Sequence, residues 1–383
     1  MALISKKMKS KKFDTVIVGA GISGLACARS LSESGENFLI ISEDIGGRIL
    51  KSEDGNVNYG AFFVCSDYHH MLKFVKLKSR IRLRDFCFHE KDKTYLLFEP
   101  MLIKYSAQFI KALRVLYKFR KAFRRFRKTC ETISQKESIE KDPVLHDLYM
   151  QNAIDFIKKK NIESGTNRYL SKGLYSTTFS SIHDMNAFSF LEFIIPLITP
   201  IYRFRFEMDK MIQPFKENIM IGHVDDLTYK NGYYKIKIDS NFIQSKNIVL
   251  ATQIDWSKRF AGVEKTNLPV NTHMLHVRGS PKDFISRKDY QLFGPPSNVQ
   301  AIANLKDGTY LFYYKNKQPP LNQFFNNPHI IAKKDWNPVG TINGHTLIES
   351  NRGNNMYLIG DFNIAGLEEA YITGIYAANQ IIT

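Results

Sequence analysis

The chain has 383 residues, 44% of them hydrophobic and 13% aromatic, enough for two domains with well-filled cores. The four cysteines, Cys27, Cys65, Cys87 and Cys130, contain no C-x-x-C pair, which argues against a zinc site or a disulfide framework and for a reducing compartment. A net charge of +17 points instead to an acidic partner or surface.

Residues 1–12, MALISKKMKSKK, read as a frayed basic tail with no apolar core, so no signal peptide is expected. The longest apolar stretch, Ala187 to Tyr202, is interrupted by Glu192, Pro196 and Pro200 and falls short of a membrane span. A cytoplasmic location follows, with peripheral membrane contact as an option.

From Phe13 to Arg48 the chain reads strand, glycine turn, helix, strand. Thr15 to Val18 is a β-branched run of the kind buried in parallel sheets. Gly19-Ala20-Gly21-Ile22-Ser23-Gly24 follows at once and matches G-x-G-x-x-G. A helix is predicted from Ile22 to Ser32, ended by Gly35, and Phe38 to Ile41 is the second strand. In that setting Gly19 makes the tight turn, Gly21 admits a pyrophosphate to the backbone, and Gly24 lets helix and strand pack. The N–H groups at the helix start, including those of Ile22 and Ser23, then face the phosphates. Glu43 lies 43 − 24 = 19 residues after Gly24, the spacing expected for an acidic residue on the adenosine ribose.

Further along, Asn58 to Phe63 reads as a strand end with close backbone approach at Gly60. Tyr68 to Lys78 is predicted helical, and short strands are predicted at Ile81 to Arg84 and Thr94 to Phe98. Residues 101–130 contain no acidic side chain. Phe109, Ala112, Leu116, Phe119, Phe123, Phe126 and Cys130 form one apolar seam on a long, very basic helix. Its basic face is read either as a solvated surface or as a contact for anionic lipid or another acidic partner. Nucleic acid is not expected, because no recognition fold accompanies the charge.

Helices are predicted at Asn152 to Lys160 and Asn186 to Leu197. Ile219 to Tyr229, the Asn231-Gly232 turn, Tyr233 to Ile238 and Asn247 to Thr252 imply a three-stranded meander followed by a parallel strand. His273 to Val277 and Tyr310 to Tyr314 fit a second, antiparallel sheet. Residues 355–382 read as strand, turn and helix.

Five blocks in this order resemble the FAD-dependent amine oxidase superfamily, which includes phytoene-desaturase-like and protoporphyrinogen-oxidase-like enzymes. They are the glycine motif; Gly46-Gly47-Arg48; Asn58-Tyr59-Gly60-Ala61-Phe62; His223-Val224 with Val249 to Thr252 behind it; and Gly360-Asp361 followed by Gly366-Leu367-Glu368-Glu369-Ala370. The resemblance implies Gly47 and Arg48 beside the pyrophosphate and Gly60, Ala61 and Phe62 near the flavin. It also implies the Val224 backbone on the adenine, Asp361 beside Gly360 near the ribityl–phosphate region, and the Leu367 backbone toward the flavin ring. Two positions depart from the family pattern: Ser42 stands where the family carries its acid, and Asn58 where it carries Asp. No cysteine follows Cys130, so a covalent flavin tether before the last motif is excluded and FAD is expected to bind non-covalently.

The fold class expected is α/β, a Rossmann-type FAD-binding domain with a second α+β substrate domain of antiparallel sheet plus helices. The FAD domain is assigned to 1–75, 210–262 and 345–383, the substrate domain to 76–209 and 263–344. The expected activity is FAD-dependent oxidation of a C–H or C–N bond in a mainly apolar organic small molecule, of amine or polyene type. The catalytic residues and oligomeric state are not read from the sequence, and no metal is expected. A redox-neutral flavin isomerase and a non-catalytic dinucleotide-binding protein working through the basic helix remain as alternatives.

Overall fold

Residues 12–90 and 93–383 are described by the computed structural model, so the predicted basic tail lies, up to residue 11, outside the described residues. Lys12–Ala20 is a central strand of the first sheet, parallel to Phe38–Ile45 on one side and to Asn241–Leu250 on the other. Ile17 pairs with Ile40 and with Val249, and all three are fully buried. Such a run of branched apolar residues suits a strand covered on both faces. The sheet continues through Ile219–Ile221 beyond Phe38–Ile45, and through Tyr233–Ile238 and Asp226–Lys230 beyond Asn241–Leu250. Met356–Leu358 adds a parallel strand to Asn241–Leu250.

The first helix, Ile22–Glu33, packs against the last, Leu367–Ile382. Gly374 permits the crossing: a Cβ there would collide with the Ser23 carbonyl and lie 2.8 Å from the Ala26 Cβ. This contact brings the two chain ends, and the motifs they carry, to one place.

A second seven-stranded sheet runs in the order Phe325–Asn343, Leu268–Pro281, Thr309–Tyr314, Val299–Asn304, Tyr290–Phe293, Phe86–Glu90, Lys93–Leu96. It is antiparallel except where Tyr290–Phe293 runs parallel to Phe86–Glu90. Val64–Cys65, Ile201–Phe206 and Val75–Ile81 form a small third sheet. The basic helix, Ser106–Thr129, buries its predicted seam against a helical layer. Phe119, Phe123 and Phe126 each meet the edge of Phe188, with ring centroids 5.3 to 6.0 Å apart.

The fold class is therefore mixed α/β with a Rossmann-like unit. Three local expectations need correction. The helix predicted over Tyr68 to Lys78 is a single 3-10 turn, Met71–Phe74, followed by the strand Val75–Ile81. Pairing with Ile201–Phe206, remote in sequence, overrides the weak local helical pattern. The strand predicted at Ile81 to Arg84 ends at Ile81, and Leu83–Asp85 turns. The meander's third strand and the parallel strand are one element, Asn241–Leu250, which pairs antiparallel with Tyr233–Ile238 in its first half and parallel with Lys12–Ala20 along most of its length. Among the described residues no helix is long and apolar enough to cross a membrane.

Candidate functional site

The glycine turn is built by packing. Gly19 has φ +108°, and a Cβ on it would lie 2.6 Å from the Ala251 carbonyl oxygen. A Cβ on Gly24 would collide with the Gly19 carbonyl. Gly21 differs: its Cβ would meet nothing closer than the Ala251 carbonyl at 4.0 Å. Gly21 is also the N-cap of the first helix and supplies no side-chain cap, and the first turn carries no acidic residue. The leading N–H groups of a helix have no intrahelical partner. Here they open beside a glycine with free space over it, with Ile22 half-buried and Ser23 buried. That is the donor set and the cradle a diphosphate needs.

The Gly46-Gly47 turn folds over this point. The Gly46 N–H donates to the Ala20 carbonyl at 2.8 Å, and a Cβ on Gly47 would sit 3.2 Å from the Gly21 Cα. Ser42 accepts the Ala20 N–H at 3.0 Å and donates to the Asp44 carbonyl at 2.7 Å. The residue standing where an acid was expected by resemblance thus holds the glycine turn. Glu43 points outward and pairs with His223 at 2.8 Å, both side chains well exposed. An exposed pair of this kind contributes at most about 1 kcal/mol. The Gly222 N–H donates to the Ser42 carbonyl, placing buried Val224 close to the end of the second strand.

Arg48 joins three segments. Its guanidinium forks onto Asp361, at 2.7 and 2.6 Å, and donates to the Val339 carbonyl at 2.9 Å. Gly60 lies so close beneath Arg48 that a Cβ would collide with the Arg48 carbonyl, and it would also reach the buried Trp336 ring at 3.3 Å. Ala61 and Phe62 follow, half-buried. The Thr373 hydroxyl accepts the Gly360 N–H at 3.0 Å, and Leu367 opens the last helix. The structure thus gathers the glycine motif, Gly47, Arg48, Gly60, Gly360 and Asp361, whereas Glu43 turns to the surface with His223.

The sequence reading placed Glu368 and Glu369 in the fifth block but gave them no role. Buried Glu368 accepts the N–H groups of His69, His70 and Met71 at 2.7, 2.8 and 2.9 Å, tying the last helix to that turn. Glu369 accepts Arg127 Nε–H at 2.7 Å from the basic helix. Arg127 also lies 3.7 Å from Asp67, which accepts from Arg120 at 3.2 Å and lies 3.8 Å from Arg124. The adjacent carboxylates inside the fifth block, with an acid-free basic run elsewhere, were the available signal.

Glu192 is buried near this pair with its Oε2 unpartnered. Burial, and then the Glu369 carboxylate, push it well above the ordinary carboxylate range. The unfolded side chain releases its proton near 4.5, whereas the folded one keeps it to higher pH. The folded state then binds more protons, and stability falls as pH rises from about 4.5 toward the raised value. Glu192→Gln removes this loss. Its gain over the parent in urea unfolding is expected to grow over the range from about pH 5 up to the raised value, by up to about 1.4 kcal/mol per pH unit. An equal gain at both ends of that range sinks the assignment of a protonated Glu192.

Other aromatic, histidine and cysteine side chains form framework. Tyr313 packs on Phe179 and Tyr314 stacks on His273, both within cores. His70 pairs with Glu131 at 3.0 Å and stacks on Tyr371. All four cysteines are buried, and burial raises their thiols, Cys65 and Cys130 to about 12, so none is poised as a thiolate. Two surface cavities, of about 430 and 280 Å³, are lined by Phe98 to Ser106 and by residues of the Cys87–Leu96 hairpin with Arg287 and Lys288. Neither contains a motif residue, so the geometric case rests on the glycine turn and its partners.

Comparison with known proteins supports the fold. Residues 17–76 match a family model described as a NAD(P)-binding Rossmann-like domain. Flavin-containing amine oxidase B of Bos taurus is 36% identical over 72 residues, which make up 18% of this chain and only 14% of that protein. Among solved structures, a putrescine oxidase redesigned in its cofactor binding superposes with a TM-score of 0.69 at 12% identity, covering 97% of this chain and 99% of the other. A fatty acid isomerase from P. acnes that produces CLA superposes with a TM-score of 0.67 at 12% identity, over 96% and 98%. At such identities it is the fold that is shared.

Proposed function

We propose that this chain, which has the fold of the FAD-dependent amine oxidases and their Rossmann-like dinucleotide domain, is an oxidoreductase that binds FAD without a covalent tether. The observation that carries the reading is the uncapped helix start at Gly21, open above and closed around by Gly47, Arg48 and Asp361. FAD, when bound, supplies the hydride acceptor for oxidation of a C–H or C–N bond.

The chain's own residues bind and orient. The N–H groups after Gly21 receive the pyrophosphate, and Arg48, held by Asp361, adds positive charge beside it. The Val224 backbone lies at the adenine end, the Leu367 N–H at the start of the last helix, and Gly60, Ala61 and Phe62 on the side facing the second sheet. The substrate is a mainly apolar organic molecule. The second sheet and helical layer are rich in aromatic and aliphatic side chains, and a cleft formed between such elements favours apolar ligands with few polar anchors. A redox-neutral isomerase uses the same cofactor site, and the fold shared with a fatty acid isomerase keeps that reading in play.

The absorbance spectrum of the purified protein tests the first step. A yellow protein that releases intact FAD on denaturation is expected. A colourless protein that also takes up no added FAD overturns the proposal. Anaerobic mixing with amines and polyenes then separates the two chemistries: net bleaching of the flavin means oxidation, and product formed without net bleaching means isomerisation.

A further inference from the structure

The basic helix sorts its cations into two sets. Arg120, Arg124 and Arg127 turn toward Asp67 and Glu369. Lys111, Arg114, Lys118, Lys121, Arg125 and Lys128 are all exposed, and among the described residues none forms an ion pair. Lys111, Lys118 and Arg125 recur every seven residues, as do Arg114, Lys121 and Lys128. At about 100° per residue these six cover roughly 100° of arc on the side away from Phe119 and Phe123. Ile110 and Tyr117, both exposed, border that arc.

The N-terminal end of the same helix carries a second feature. Phe98, Met101 and Ile103 project from the turn that leads into it; Ile103 is 77% exposed and Phe98 64%. Phe98 and Ile103, with Glu99, Pro100, Leu102 and Ser106, line the cavity of about 430 Å³, whose walls are mostly apolar. Single exposed apolar residues are ordinary, but here three stand together as one patch at the end of an unpaired cationic stripe.

We propose that this face is a docking surface for an anionic lipid bilayer: the helix lies flat with its six cations on the headgroups, and Phe98, Met101 and Ile103 enter the acyl boundary. The charge complements an anionic leaflet. The apolar tip favours lipid over nucleic acid, because a phosphate backbone offers nothing to Phe98 or Ile103, whereas an interfacial helix needs both parts.

Flotation of the full-length protein with vesicles tests this, using pure phosphatidylcholine and phosphatidylcholine containing roughly one third phosphatidylserine. Binding is expected only to the anionic vesicles and is expected to fade as salt rises. Lys118→Gln with Lys121→Gln is expected to lower the partition coefficient about 30-fold, at about fivefold per base. Phe98→Ser with Ile103→Ser is expected to weaken vesicle binding about tenfold or more while leaving retention on a soluble polyanion, heparin, unchanged. All four positions are exposed, and thermal melts matching the parent show that the variants fold. Equal binding to neutral and anionic vesicles, or no vesicle binding, overturns the proposal. So does vesicle binding that ignores Phe98→Ser/Ile103→Ser while duplex DNA binds more tightly than lipid.

Discussion

Arg127→Leu is expected to lower the stability of the folded chain by about 3–5 kcal/mol. The guanidinium reaches from the basic helix to Glu369 on the last helix, 242 residues later, at 2.7 Å, and both side chains are withdrawn from water. Arg127 further stacks over the Phe123 ring, with its centroid 4.4 Å away. Asp67 keeps Arg120 when Arg127 is lost, but among the described residues Glu369 keeps no cation in contact. A buried carboxylate stripped of its counter-charge must either stay ionised in an apolar site or take a proton, and both are costly. Removing both charges, Arg127→Leu with Glu369→Leu, is expected to restore most of the loss, because two apolar groups replace a pair whose attraction was offset by desolvation. Urea unfolding of parent, single and double variants measures this. A single-variant loss under about 1 kcal/mol means that water screens the pair and that the cluster does not hold the two helices together.

Gly21→Val is expected to abolish FAD binding without unfolding the protein. The backbone at Gly21 is extended, φ −73° and ψ 177°, a conformation valine adopts readily. The space above it is open, with the nearest atom 4.0 Å from the added Cβ, so a stability change within about 1 kcal/mol is expected. The branched side chain then stands where the diphosphate must meet the helix N–H groups. Losing two charge-assisted bonds, about 1.5–3 kcal/mol each, weakens binding at least about 100-fold. Gly24→Val gives the opposite balance, since its Cβ collides with the Gly19 carbonyl inside the packed turn. Fluorescence titration of FAD into each variant, with urea unfolding alongside, separates the two roles. A Gly21→Val protein that binds FAD like the parent removes the helix start as the phosphate site.

What the amino-acid sequence determined by itself is local. Thr15 to Val18, the glycine turn and the helix after it lie within 20 residues, and the preferences of those residues agree with each other, so strand, turn and helix form as read. The apolar seam of the basic helix was equally legible, because period and composition coincide over its whole length. What only the tertiary structure decided involves partners far apart in the chain. Val75–Ile81 became a strand because Ile201–Phe206 offers it hydrogen bonds that no helical pattern nearby could outweigh. Asn241–Leu250 serves two sheet contacts of opposite sense, which no window of its own sequence reveals. Ser42 stands at the register where the resemblance put an acid, and only the fold shows that its hydroxyl holds Ala20. Which cations of the basic helix turn inward was fixed by Asp67 and Glu369, one 53 residues before Arg120 and the other 242 after Arg127. Charge spacing along a helix states which side chains share a face. The contacts that turn three of them inward, and among the described residues leave six unpaired, exist only once distant carboxylates have been packed against the helix.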